Sequence, residues 1–136
     1  MNITEHWDRI YSSEPVQKLG WYETRPEPCL QLLEKCELSL EDPVLDVGAG
    51  ASTFIDCLIE KGFRQVYALD ISATALDRLK ARLGEEKSRR VSWIVADITR
   101  PASLEQLKGI ALWHDRALLH FLTREDRRLA YRRILT

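Results

Sequence analysis

Val44–Ser52, VLDVGAGAS, is a short apolar run that meets an acid and then two glycines one residue apart. Val44, Leu45 and Val47 suit a strand buried in a parallel sheet, while Gly48 and Gly50 let the chain turn sharply and approach a ligand with no Cβ between. Ser52 can cap the helix that follows, whose backbone N–H groups point back at the same crevice. In an open α/β sheet, ligands sit at the carboxyl ends of strands where the winding reverses. The stretch therefore predicts a strand, turn and helix at a binding crevice. An ordinary tight connection would use the same glycines.

Downstream, a helix is predicted over 52–61 with Phe54, Ile55, Leu58 and Ile59 inward and Gly62 as its stop. A strand over 65–69 ends in Asp70, and Ser72 caps another helix carrying Leu76, Leu79 and Leu83 up to Gly84. Residues 85–90 mix both charges and read as a solvated turn. A third strand over 91–96 runs into Asp97, one or two helical turns follow over 103–108, and a fourth strand over 110–114 ends at Asp115 and Arg116. Thr123 with Asp126 is a capping-box pattern that opens a last helix.

Upstream, 2–13 reads as a helix opened by Asn2 or Thr4, with Ile3, Trp7, Ile10 and Tyr11 on one face in need of a partner. The segment 12–28 is broken by Pro15, Gly20, Pro26 and Pro28; its Trp21 and Tyr22 either fold over the crevice as a lid or pack on the body. A helix follows to about residue 38, with Cys29, Leu30, Leu33, Cys36 and Leu38 inward. Strands alternating with helices of this length imply an α/β fold, a Rossmann-like parallel sheet with right-handed crossovers and helices on both faces.

At 136 residues, 45% of them hydrophobic and 30% charged, the chain reads as one domain with a real core: an N-terminal helix and lid segment over 1–25 and the sheet over 26–136. Lys and Arg number 20 against 21 Asp and Glu, so no net field draws the molecule to nucleic acid or anionic lipid. Apolar runs are too short to span a bilayer and Met1–Trp7 lacks the basic and apolar regions of a signal peptide, which predicts a cytoplasmic protein. The three cysteines have no zinc-ligand spacing, so no metal site is expected and Cys29 and Cys36 read as small core residues.

Each predicted strand ends in an acid: Asp46, Asp70, Asp97 and Asp115. In a parallel sheet those ends share one rim, and gathering that much negative charge is costly unless a ligand offers hydroxyls, an amine or a positive charge. Asp70 lies about 20 residues past the glycine turn, where an acid can accept from the two hydroxyls of a ribose. Asp97 can accept from an adenine amine, with Ile71 and Ile98 as apolar faces for the purine. Any one of these acids can instead cap the helix after it.

VLDVGAGAS, the acid in VYALDIS and the acid in WIVADIT resemble the first three motifs of class I S-adenosylmethionine-dependent methyltransferases. LWHDRALLHFLT is similar to the fourth motif of a small-molecule branch, and HWDRIY with the following Trp-Tyr pair is similar to the lead segment of that branch and of certain protein-lysine methyltransferases. The resemblance implies S-adenosyl-L-methionine as cofactor. It places Asp46, Gly48, Ala49 and Gly50 on the methionine side, Asp70 at the ribose, Ile71 on adenine, Asp97 and Ile98 at its amine edge, and His114 beside the sulfonium. His114 and Asp115 are the candidate catalytic residues, and Trp21, Tyr22 and Arg116 the candidate substrate and lid residues.

The resemblance also implies the strand order 3-2-1-4-5-7-6, of which this chain carries 3-2-1-4; it is expected to be a fragment or shortened form of a longer enzyme, the alternative being that a second copy covers its bare fourth-strand edge. Methyl transfer is an in-line displacement that asks the protein mainly to align three atoms, and an amine or hydroxyl acceptor also needs a base. The acceptor is a small molecule or a protein lysine. Two other classes remain open: a nicotinamide-dependent oxidoreductase, against which stand Thr53 in place of a third glycine and the acid Asp46 before the turn, and a non-catalytic interaction module.

Overall fold

Val44, Leu45, Asp46 and Val47 are all buried, so β1 (Val44–Val47) runs through the interior with both of its faces covered. The computed structural model describes residues 2–13, 15, 18, 25–100, 104, 105, 107–115 and 122–135; Trp21, Tyr22, Arg116 and His120 lie outside them. β1 pairs in parallel with β2 (Val66–Asp70) on one side and β4 (Leu112–His114) on the other, and β3 (Val91–Val95) pairs with β2. The order is β3-β2-β1-β4, the one the family resemblance implies.

Alternation along the strands sends Val44, Val66, Ala68 and Val91 to one face. There they meet Leu30 and Leu33 of α2 (Glu27–Lys35), Phe54, Ile55 and Leu58 of α3 (Phe54–Lys61), and Leu76 and Leu79 of α4 (Ala73–Leu83). Leu45, Val47, Leu69 and Ile94 face the other way, onto Ile98, Leu122 and Tyr131 of α6 (Glu125–Leu135). A leucine or phenylalanine taken fully out of water contributes about 1.5–3 kcal/mol. Leu45, Phe54, Leu58 and Leu76 are all in that condition, and a charge at any of them would break the layer.

Asn2 opens α1 (Ile3–Ser13) reciprocally: its Oδ1 accepts from Glu5 N at 2.8 Å and its own N donates to Glu5 Oε2 at 3.3 Å. The partner that the apolar stripe of α1 needs is α4 and the glycine turn, where Tyr11 is buried. Gly62 and Gly84 end α3 and α4 in left-handed backbone, φ 92° and 85°, as their positions predict.

Three local expectations shift. Residues 85–88 form a one-turn helix, α5 (Glu85–Ser88), braced by the exposed Glu85–Arg89 pair. The helical turns expected over 103–108 fall partly outside the described residues; within them Leu107 N donates to Leu104 O at 2.9 Å. α6 starts at Glu125 because Arg124 takes the Asp126 carboxylate that a capping box would use. Cys36 is exposed, because α2 stops at Lys35 and leaves it as the C-cap. Among the described residues no helix is long and apolar enough to cross a membrane.

Candidate functional site

The four acids do share one rim. Asp46 lies opposite Ala68 and His114 in the sheet, Asp70 lies opposite Val95, Asp97 comes two residues after the end of β3 and Asp115 follows β4 directly. Strand register alone brings them to the same edge. What each then binds differs.

Asp70, 6% exposed, accepts from Gly50 N at 3.0 Å through Oδ2 and from Ser72 N at 2.9 Å through Oδ1. Burial pushes its carboxyl up from 3.8 to about 6; the two amide bonds oppose the rise and the nearby Asp46 charge adds to it. Each oxygen keeps a lone pair, so the carboxylate can hold the turn and still accept from a ligand.

The turn itself needs its glycines for two reasons. Gly48 sits at φ 67° and donates to Leu69 O at 2.8 Å, and Ala49–Ala51 coils into one 3-10 turn with Ala49 buried in the core. At Gly50 a Cβ would stand 2.7 Å from Ala75 Cβ and 2.8 Å from Tyr11 Cζ. The glycine that the sequence assigns to ligand approach is thus also where α1 and α4 close on the backbone.

Ser52 accepts from Phe54 N at 3.0 Å, starting α3, and Ser72 accepts from Ala75 N at 3.1 Å, starting α4. Ser72 also donates to Asp8 Oδ1 of α1 at 2.5 Å. The first helix is thereby tied to the residue whose backbone N–H Asp70 holds.

Asp46, 2% exposed, meets His114 across the β1–β4 pair, with Oδ1 2.8 Å from Nδ1. The imidazole stacks on Phe54 at 3.9 Å and 17°. Asp46 Oδ2 and His114 Nε2 are buried with no hydrogen-bond partner among the described residues, so two polar atoms at this point call for one.

Asp97 holds the turn that follows β3. Its Oδ1 accepts from Thr99 N at 2.9 Å and Thr99 Oγ1 at 2.6 Å, while Arg127 of α6 approaches Oδ2 to 3.5 Å. Asp97, Ile71 and Val95 line a cavity of about 940 Å³ roofed by Ile3 and His6 of α1 and closed by Leu122 and Arg127. Ile98 is 4% exposed and packs in the α6 layer instead of on that cavity. Asp115 turns to the α6 side, where Tyr131 donates to its Oδ2 at 2.6 Å and accepts from Trp113 Nε1 at 2.9 Å. Burial and Asp115 push the Tyr131 hydroxyl upward, so it keeps the proton it donates.

The expected residues therefore fall into three groups: the turn with Asp70, the Asp46–His114 pair under Phe54, and the cavity of Ile71 and Asp97. Asp115 stands apart from His114 on the other face. Trp21, Tyr22 and Arg116 lie outside the described residues. Sequence reasoning missed Asp8, Phe54, Arg127 and Tyr131 as parts of the site, since each acts through a contact far along the chain.

A family model described as a methyltransferase domain matches residues 44–136. EEF1A lysine methyltransferase 2 of Mus musculus is 27% identical over 111 residues, covering 76% of this chain and 46% of the relative. The Danio rerio protein of the same name is 26% identical over 146 residues, covering 100% and 62%. The chain thus spans about half the length of the curated relatives it matches. A solved structure concerned with the conversion of a disulfide bond into a thioacetal group during echinomycin biosynthesis is 28% identical, with TM-score 0.76, over 98% of this chain and 55% of that one.

Proposed function

Since the chain belongs to the methyltransferase-domain family, whose methyl donor is S-adenosylmethionine, we propose that it methylates a lysine side chain of a protein substrate. The observation that carries the cofactor half of the reading is the rim itself: Asp46, Asp70 and Asp97 stand at or beside the carboxyl ends of β1, β2 and β3 on one edge of the sheet. The names of the relatives support the lysine acceptor.

The residues present fit the cofactor. A buried carboxylate oxygen at Asp46 without a partner among the described residues, a carboxylate with lone pairs to spare at Asp70, and a cavity of mixed polar and apolar lining, with Ile71 and Val95 as apolar faces beside Asp97, match a donor-rich amino-acid end, a ribose and a purine in turn. When bound, S-adenosylmethionine supplies an electrophilic methyl group on a cationic sulfur. This chain's own part is to hold, orient and exclude water. Asp46 would face the methionine side with Gly48, Ala49 and Gly50, Asp70 the ribose hydroxyls, and Ile71 and Asp97 the adenine. A lysine must lose its proton before it attacks, and Asp115, half-buried beside the Tyr131 hydroxyl, is the group we assign to take it.

The pyrophosphate of a dinucleotide suits this place poorly, because Asp46 puts negative charge beside the turn. A second reading, with a small-molecule acceptor, is favoured by the likeness to the echinomycin-biosynthesis structure over 98% of the chain. Calorimetry with S-adenosylhomocysteine tests the cofactor half of the proposal, and saturable one-to-one binding is the expected result. Methyl-labelled S-adenosylmethionine offered with purified eEF1A tests the acceptor: label is expected on a lysine. Binding without label on any protein would favour the small-molecule reading.

A further inference from the structure

Asp46 and His114 sit directly opposite each other in the β1–β4 register, so their 2.8 Å contact is built into the sheet and does not depend on a loop. The imidazole has little freedom: one edge is bonded to Asp46 and one face lies on Phe54 at 3.9 Å. An ionised carboxylate can only accept, so Nδ1 must carry the proton in this contact. That fixes Asp46 Oδ1 as the occupied oxygen. Oδ2 is left buried, partnerless among the described residues, and able only to accept.

A group that answers Oδ2 must therefore be a donor, and a cationic one answers a buried carboxylate best. Of the two ends of S-adenosylmethionine, only the amino-acid end carries an ammonium. We infer that His114 is a positioning residue: by holding Oδ1 of Asp46 it presents Oδ2 to the ammonium of the cofactor's amino-acid end. The inference rests on the S-adenosylmethionine reading above and narrows it.

The test compares two ligands that share adenosine and a thioether, S-adenosylhomocysteine and 5′-methylthioadenosine, of which the second lacks the amino-acid group. Binding of both is measured by calorimetry to the 136-residue chain and to His114→Phe and His114→Asn. Phenylalanine keeps a ring on Phe54 without a donor, and asparagine keeps an N–H donor near the place of Nδ1. His114→Phe is expected to weaken S-adenosylhomocysteine about tenfold or more, the loss of one hydrogen bond to a charged group, and to leave 5′-methylthioadenosine unchanged. His114→Asn should recover most of that loss.

Equal losses for both ligands, no loss for either, or an asparagine variant no better than phenylalanine would overturn the inference while leaving the cofactor reading intact. A wild-type chain that binds neither ligand overturns both. Thermal melting checks folding, and if His114→Phe is unfolded, the ligand-selective loss must appear in Asp46→Asn or the inference fails.

Discussion

The backbone N–H of Gly50 donates to Oδ2 of Asp70 across 3.0 Å, so the acid that ends β2 holds the turn that follows β1. One side chain thereby sets the shape of the glycine turn and stands at the rim where a ribose would dock. Its burial raises the carboxyl to about 6, against 3.8 for a free one. A group that binds its proton more tightly when folded contributes stability below its unfolded pKa and loses it as pH rises through the folded one. Going from pH 7 to pH 4 should therefore stabilise the wild type relative to Asp70→Asn by about 2 kcal/mol, read from urea midpoints. Affinity for S-adenosylhomocysteine should move the opposite way, falling below pH 6 as the acceptor is neutralised. Parallel pH curves for wild type and variant would contradict this.

Gly50→Ala forces a methyl group to within 2.7 Å of Ala75 Cβ and 2.8 Å of the Tyr11 ring. Neither neighbour is a loose surface chain, since Ala75 is in α4 and Tyr11 is buried. A loss of about 1–3 kcal/mol is expected in denaturant melts, the usual cost of overpacking.

Ser72→Ala removes the cap of α4 and the bond to Asp8 at once. The cap alone is worth about 1 kcal/mol. Amide exchange should quicken in α1 as well as in the first turn of α4, whereas Asp8→Asn should affect α1 alone. An α1 that exchanges at the wild-type rate in Ser72→Ala would mean that Asp8 does not tie it down.

Tyr131→Phe takes away the donor to Asp115 and the acceptor for Trp113 Nε1. Two partly buried polar groups lose a partner, and a cost of about 1–3 kcal/mol is expected on thermal unfolding. Methyl transfer should drop with cofactor affinity unchanged, because Asp115 is proposed to serve the acceptor.

Much of this was legible along the chain. The turn after β1, the capping serines and the glycine stops follow from residues within a few positions of one another, while the strand order comes from the family resemblance. The partners of the acids do not. Asp46 meets His114 because β1 and β4 pair in one register, Asp8 meets Ser72 because α1 lies on α4, and Asp115 meets Tyr131 because α6 covers that face. Those are facts of packing between distant segments, with no periodic mark in the sequence. For the same reason Asp70 and Asp97 could not be assigned in advance to ligand or cap. Both bond the backbone N–H two residues on, and Asp70 does so while facing the rim.

The most direct measurement is amide chemical-shift mapping on the labelled chain as S-adenosylhomocysteine is added. The account predicts shifts clustered at Gly48–Gly50, Asp70, Ile71 and Asp97, with β4 responding at His114. Shifts confined to the outer edge of β4 or to the far end of α6, or none at saturating ligand, would contradict it.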